Sequence, residues 1–502
     1  MATPNQTPLD HAFFGHPRGL STLFFTEMWE RFSYYGMRAL LLLYMTAPLS
    51  AGGLGFDAAQ GGAIYGLYTS MVYMMALPGG WVADRLIGQR RAVLYGGILI
   101  ASGHFSMAIP SLATFYLGLF LIVIGTGLLK GNVSVIVGQL YTPEDTRRDA
   151  GYSIFYMGIN LGAFIAPLIC GYLGQEISWH LGFGAAGVGM ALGVVQYVLG
   201  GASLGTAGLE PAPAASPAAF TALKASATRW TVGLVVALAA LAAGMYTGVL
   251  PITAVQIANA GGLLLLLITL GFFAWLFVSG GWTQEEKKRL YVIGVLFVAS
   301  TLFWSVFEQA GSTLNLFADR STDNRAFGYA FPSTWYQSLN SLFLIALAPV
   351  FAWVWARLAT KRQDPSRPAK FSMGLVFVGL GFAILLVPAR AAESGALVSP
   401  MWLTLTYLLH TIGELALSPV GLSAMSTLAP ARIAGLIMGV WFLSISVGNF
   451  LGGRIASFYE SMALPSLFGV VATFAIIAGL ILFAFVPAMR RLTDEPTPAG
   501  RS

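Results

Sequence analysis

The feature that most constrains this chain is its series of long, mainly apolar runs. They fall near residues 21–49, 59–83, 92–110, 112–140, 150–174 and 179–202, then 230–249 and 256–279, then 289–311, 333–357, 371–389, 398–427, 433–458 and 463–488. A helix needs about 20 mainly apolar residues to cross the hydrocarbon of a bilayer, so each run has the length of one span. Runs this long exclude a β-barrel, whose strands are short and alternating. Composition agrees: 56% of the 502 residues are hydrophobic and only 10% are charged. Soluble domains carry about a quarter charged residues, so a cytosolic enzyme of a few compact domains is excluded. Disorder is excluded too, because the chain is rich in apolar and aromatic side chains.

The runs count as six, then two, then six. They predict an all-α membrane protein of 14 transmembrane helices. The domains expected are a six-helix bundle (1–203), a linker with an inserted hairpin (204–284), a second six-helix bundle (285–492) and a cytoplasmic tail (493–502). Charge placement supports the topology. With the N-terminus in the cytoplasm, twenty of the 27 lysines and arginines fall in cytoplasmic segments and three, Arg320, Arg325 and Arg390, in the opposite loops. That asymmetry follows the positive-inside rule. It also accounts for the net charge of +6 without invoking nucleic acid. The even number of spans returns the C-terminus to the cytoplasm. The first 19 residues lack an apolar signal core, so the first span itself is expected to direct insertion. Internal repetition is not visible, so the two halves rest on count and topology.

The remaining cations, Arg31, Arg38, Lys130 and Arg454, lie inside spans. An ionisable residue in hydrocarbon is a functional hypothesis by default. In the first span Glu27, Glu30, Arg31, Tyr34, Tyr35 and Arg38 follow helical spacing and line one stripe. Such a stripe cannot face lipid. Lys130 in the fourth span, Glu308 in the seventh main span and Glu414 in the tenth add partners. Four interior carboxylates against three cations suggest mutual pairing. A proton arriving on one carboxylate would strand its partner, which is a reversible switch. Structural salt bridging, helix packing at His104 and snorkelling at Arg454 are the plainer alternatives, and His410 is equally compatible with packing and a site role. Asn160 and Asn340 offer amides within apolar runs, as interhelical contacts or as ligand contacts. Cys170, the one cysteine, reads as a small packing residue. No phosphate-binding loop, His-Glu-x-x-His or Cys-x-x-Cys occurs, so neither an ATP-driven pump nor metal chemistry is indicated, and no cofactor is expected.

Four stretches carry a family resemblance. Glu27-x-x-Glu30-Arg31-Phe32-x-Tyr34-Tyr35 resembles the first-helix signature of the proton-dependent oligopeptide transporters of the major facilitator superfamily. The loop Gly80–Arg91, with Asp84, Arg85 and Arg90, is similar to the superfamily's cytoplasmic motif. Phe155-Tyr156-x-x-Ile159-Asn160-x-Gly162 and Gly413-Glu414-x-x-x-Ser418-Pro419 match two further family patterns. The inserted hairpin is usual in bacterial members and implies the inner membrane.

The resemblance implies a proton-coupled symporter that imports di- and tripeptides by alternating access around a central site. Glu27, Glu30 and Arg31 would couple protons, with Lys130 as ionic partner. Arg38 and Lys130 would attract the peptide carboxylate. Glu414, Asn160 and Asn340 would hold its α-ammonium. Tyr34, Tyr35, Tyr73, Trp304 and Trp441 would shape a tolerant pocket, with Ser418 nearby. Glu308 would make an inter-half contact, with Arg38 as its candidate partner. A monomer in the bilayer is expected to suffice, with peptides and protons as its only small partners. The alternatives are a same-family transporter of a peptide-like drug or a small anion, a channel, or an intramembrane enzyme.

Overall fold

The computed structural model describes residues 11–142 and 144–493. The expected tail (493–502, with Arg501) and the first ten residues lie, apart from Thr493, outside the described residues. The described residues form seventeen α-helices: α1 (Arg18–Thr46), α2 (Ala58–Met74), α3 (Ala76–Val82), α4 (Gln89–Met107), α5 (Leu112–Gln139), α6 (Arg148–Tyr172), α7 (Trp179–Leu199), α8 (Pro217–Tyr246), α9 (Ala254–Val278), α10 (Gln284–Phe307), α11 (Thr313–Ser321), α12 (Gln337–Thr360), α13 (Arg367–Ile384), α14 (Leu386–Glu393), α15 (Met401–Leu428), α16 (Ala434–Ala456) and α17 (Leu464–Thr493). Among the described residues, eleven helical segments are long and apolar enough to cross a membrane by length and composition alone. The other three expected spans are helical as well: α1, α2 with α3, and α4. α1 carries Glu27, Glu30, Arg31 and Arg38 within its length. Among the described residues the one sheet is a two-stranded hairpin, Arg325–Ala326 with Tyr329–Ala330, in the loop after α11.

The helices form two compact units. The first comprises residues up to Tyr34, Met75–Gly162 and Gly184–Asn259; the second comprises Tyr35–Met74, Ala163–Phe183 and Ala260 onward. α1, α6, α7 and α9 contribute to both. In the first unit α4 and α5 pack without intervening side chains, because a Cβ on Gly96 would sit 2.6 Å from the carbonyl of Gly125. Leu20, Leu23, Ile100, Leu129, Val133, Ile136 and Met190 fill the space around them. In the second unit α2 and α16 meet in the same way: a Cβ on Gly453 would lie 2.3 Å from the Gly66 Cα. Lipid offers no hydrophobic incentive for helices to associate, so close backbone approach through small residues supplies the contact. Cys170 is buried against Gly36, where an added Cβ would meet its Sγ at 2.5 Å.

Candidate functional site

The first unit holds one ionic cluster. Helical spacing sets Glu27, Glu30 and Arg31 on neighbouring positions of α1. Arg31 Nε lies 3.0 Å from Glu27 Oε1 and also pairs with Glu30. All three side chains are buried, Glu30 completely. Lys130 on α5 is half-buried, and its charge acts on Glu27. The Arg31 guanidinium stands 5.7 Å from the centre of the Tyr34 ring. Two carboxylates and two cations therefore sum to zero. Helix α6 is drawn in at Gly162, where a Cβ would be 2.2 Å from the Met28 carbonyl. Asn160, also on α6 and buried, donates from Nδ2 to the Tyr156 carbonyl of its own helix at 3.0 Å.

The second unit holds the other cluster. Arg38, on the later part of α1, donates from Nη1 to Glu308 Oε2 at 2.8 Å, and both side chains are buried. Arg38 also lies over the Tyr35 ring, 5.3 Å from its centre. On α12, Asn340 Nδ2 donates to Glu414 Oε2 at 2.9 Å and to Thr411 Oγ1 at 3.1 Å, both on α15. The charges of Glu308 and Arg38 both act on Glu414. With both carboxylates ionised, this group carries one cation against two anions. Removing one partner of a buried pair costs about 3–5 kcal/mol. Holding an ionised group at mid-membrane already costs about 2.5–3.5 kcal/mol. The cluster thus has an electrostatic demand for one more positive charge.

The second unit also holds a set of buried aromatic side chains. Trp304 and Trp441 are buried with ring centres 6.5 Å apart, edge to face, and Phe307 lies 5.4 Å from Trp304. Trp441 packs closely against α15 because residue 421 is glycine; a Cβ there would come within 2.2 Å of the indole. Tyr73 is buried on α2, as are Tyr65 and Tyr68. Ser418 is half-buried next to Pro419, which lies inside α15. His410 is fixed as a packing residue by its Nε2 contact to the Val378 carbonyl at 3.2 Å and by Phe382 and Phe307. His104 is buried, and neither of its ring nitrogens has a hydrogen-bond partner among the described residues.

At the turn between α3 and α4, Asp84 Oδ1 accepts from Gln89 Nε2 at 2.7 Å. The Asp84 carbonyl accepts from the Ala212 N–H at 2.7 Å. Arg90 donates from Nη2 to the Gly205 carbonyl and from its backbone N–H to the Gly208 carbonyl, each at 2.8 Å. Gly208 N–H in turn donates to Gln139 Oε1 at 2.7 Å. The segment leading to the inserted hairpin is therefore strapped across this turn. Arg85 is exposed.

Sequence reasoning did not single out Gln309, Thr411, Tyr407 or Tyr65, which the structure brings close to Glu308, Glu414 or Arg38. Tyr407 Oη donates to the Ala310 carbonyl at 3.3 Å, and Tyr65 faces Arg38 at Gly311. The available signal was a polar residue, Gln309, directly after Glu308 in an otherwise apolar stretch.

Residues 90–474 match the family model described as the POT family. This chain belongs to the POT family. It is 41% identical over 506 residues to the peptide transporter YePEPT of Yersinia enterocolitica, with 99% of each chain covered. It is 37% identical over 500 residues to a di-/tripeptide transporter of Lactococcus lactis, covering 98% of this chain and 99% of the relative. A crystal structure of a POT peptide transporter in complex with sulfate superposes with a TM-score of 0.89 at 46% identity, covering 96% of both chains. The POT family comprises multi-pass membrane transporters of the major facilitator fold and is not a family of enzymes.

Proposed function

We propose that this POT family member is a proton-coupled symporter that imports di- and tripeptides by alternating access. The carrying observation is that each unit holds its own ionic group and that the two groups differ in charge balance. The α1 cluster is neutral and densely paired, so a proton arriving on one of its carboxylates would strand a cation that was paired before. The Arg38–Glu308–Glu414 group has an excess carboxylate, so it suits a ligand that brings an ammonium. A peptide is such a ligand, because it is a zwitterion with variable side chains. Glu414, assisted by Asn340 and Asn160, would take the α-ammonium. Arg38 and Lys130 would attract the carboxylate. Tyr34, Tyr35, Tyr73, Trp304 and Trp441, with Ser418, would supply side-chain-tolerant surface.

In this scheme a proton reaching Glu30 or Glu27 weakens the hold on Arg31 and Lys130 and permits reorientation. The moving bodies would be the bundles 1–203 and 285–492, with Asp84, Arg85 and Arg90 at the cytoplasmic corner. A monomer in a bacterial inner membrane, both termini cytoplasmic, is sufficient for this scheme. The deciding experiment is uptake of labelled dialanine by protein reconstituted in liposomes, with and without an acid-outside gradient. Accumulation that needs the gradient and is competed by tripeptides but not by longer peptides supports the proposal. Saturable uptake indifferent to the gradient would remove the coupling, and competition by small anions alone would point to another solute.

A further inference from the structure

Gln309 stands where α10 breaks. The α-helix ends at Phe307, Glu308–Gly311 form a single 3-10 turn, and α11 begins at Thr313. A break at membrane depth leaves backbone and side-chain polar groups that must be answered within the protein. Gln309 has no exposed surface, and it answers several at once. Its Nε2 donates to the Ser305 carbonyl at 2.9 Å and to the Gly452 carbonyl on α16 at 3.1 Å. Its Oε1 accepts from Ser312 Oγ at 3.3 Å and from Thr313 Oγ1. Both donors and both acceptor directions of the amide are therefore used.

The rest of the turn is referenced to the Arg38–Glu308 pair. Tyr407 Oη bonds the Ala310 carbonyl at 3.3 Å, and Asn315 Nδ2 donates to the carbonyl of Ala39, the residue after Arg38, at 2.8 Å. A Cβ on Gly311 would lie 2.1 Å from Tyr65 Oη and 2.8 Å from Arg38 Nε. The turn thus presses against the guanidinium while Asn315 holds its backbone. Of these contacts, the Gln309 amide is the one that joins the residue next to Glu308 to α16.

We infer that Gln309 is a positioning residue: by tying the α10 break to Gly452 on α16, it sets where the Glu308 carboxylate meets Arg38 and how readily that pair parts. This rests on the proton-coupled reading above. Charge-assisted hydrogen bonds are short and directional, so a small displacement of the turn alters the pair. The charged and titratable groups facing it include Tyr35 on α1, Tyr65 on α2, and Tyr407 and Glu414 on α15. None of them is changed by substitution at 309.

The test uses Gln309→Met, which keeps length and removes every hydrogen bond, alone and combined with Glu308→Gln. The readouts are peptide counterflow, which needs no net proton movement, gradient-driven uptake against external pH, and the thermal midpoint in detergent. Contacting residues couple by amounts that correspond to roughly two- to hundredfold in an equilibrium. In the Glu308 background, Gln309→Met should cut driven uptake by several-fold and move its pH midpoint, while the counterflow KM is retained. In the Glu308→Gln background it should add little. Equal losses in both backgrounds, or parallel loss of counterflow and driven uptake, would overturn the assignment. Should Gln309→Met not fold, Thr313→Val removes one contact to Oε1, and the same background dependence is expected at smaller size. If wild-type protein shows no driven uptake at all, the transport reading fails by itself. The thermal midpoints of the single and double variants then still decide the positioning role: non-additive shifts support it and additive shifts overturn it.

Discussion

Asn340 and Glu414 are joined by a hydrogen bond of 2.9 Å that runs from the amide of α12 to the carboxylate of α15. A carboxylate that accepts one neutral donor keeps lone pairs for a cation, and the donor fixes its direction. Glu414→Ala should therefore weaken binding of free-amine dipeptides far more than of N-blocked ones. Hydrogen bonds to charged groups contribute about 1.5–3 kcal/mol, which is roughly ten- to hundredfold in affinity. Asn340→Ala should cost less, because the carboxylate remains. Competition assays with dialanine and its N-acetyl derivative make the comparison. Equal loss for both ligands would mean that Glu414 does not hold the ammonium.

Glu30 shares the Arg31 guanidinium with Glu27 and is wholly buried. Replacing it by glutamine mimics permanent protonation at one of the two carboxylates. Glu30→Gln should abolish the stimulation of uptake by an acid-outside gradient while counterflow persists. Liposomes measured with and without the gradient separate the two. Full acid-driven uptake in the variant would show that the coupling proton resides elsewhere.

How much of this was legible before folding depends on the range of each interaction. The Glu27, Glu30 and Arg31 stripe could be read directly, because i, i+3 and i+4 spacing on one helix needs no tertiary information. The helices, α1 included, could be read from long apolar runs, and the shared face of the α1 charges showed that this stripe does not face lipid. The break at Glu308–Gly311 could not be read. It depends on a carbonyl contributed by Gly452, a hydroxyl by Tyr407 and an amide by Asn315. Gly452 and Tyr407 lie far from the turn in sequence, and the local polar run Gln309–Thr313 does not by itself show that α10 must stop there. The strap of residues 205–212 on the α3–α4 turn was hidden for the same reason: its bonds are mostly to backbone carbonyls and amides, which carry no sequence signature.

A pH effect is expected at the segment before α1. His16 is buried, and its Nδ1 lies 2.9 Å from Tyr141 Oη. Burial lowers its imidazole below the ordinary 6.5; Arg147 lowers it further, Asp145 opposes and His11 lowers it slightly. The unfolded segment then binds the proton more readily than the folded one. The stabilisation is complete above the ordinary value and is lost as pH falls from there toward the folded value. Asp145 works in the opposite range: the Arg147 side chain and backbone N–H hold it down to about 2, so its contribution persists until pH approaches that value. Between pH 7.5 and 5.5 His16, and not Asp145, is the member of this pair expected to report. The Phe13 and His16 amides bond each other's carbonyls at 3.0 and 2.8 Å, so their hydrogen exchange is the measurement. Protection, corrected for intrinsic rates, should fall on acidification in wild type and stay flat in His16→Gln. A flat wild-type profile would sink the idea.

The strap itself can be tested through its glycines. Gly88 has φ +81° and ψ 151°, a region that essentially only glycine occupies and that costs other residues about 1–3 kcal/mol. A Cβ there would also lie 2.6 Å from the Leu209 carbonyl, so Gly88→Ala both strains the turn and pushes the strap away. Gly205 has φ +57° with nothing within 4 Å of an added Cβ; alanine there meets strain without collision. Gly80 has neither a positive φ nor a neighbour within 4 Å. Thermal midpoints in detergent should therefore fall in the order Gly80→Ala least, Gly205→Ala next and Gly88→Ala most. If Gly205→Ala costs as much as Gly88→Ala, contact between the strap and the turn adds nothing beyond backbone strain. If the order holds, the segment that introduces the inserted hairpin is part of what stabilises the Asp84–Arg90 turn, and excising the hairpin without preserving residues 205–212 should loosen that turn.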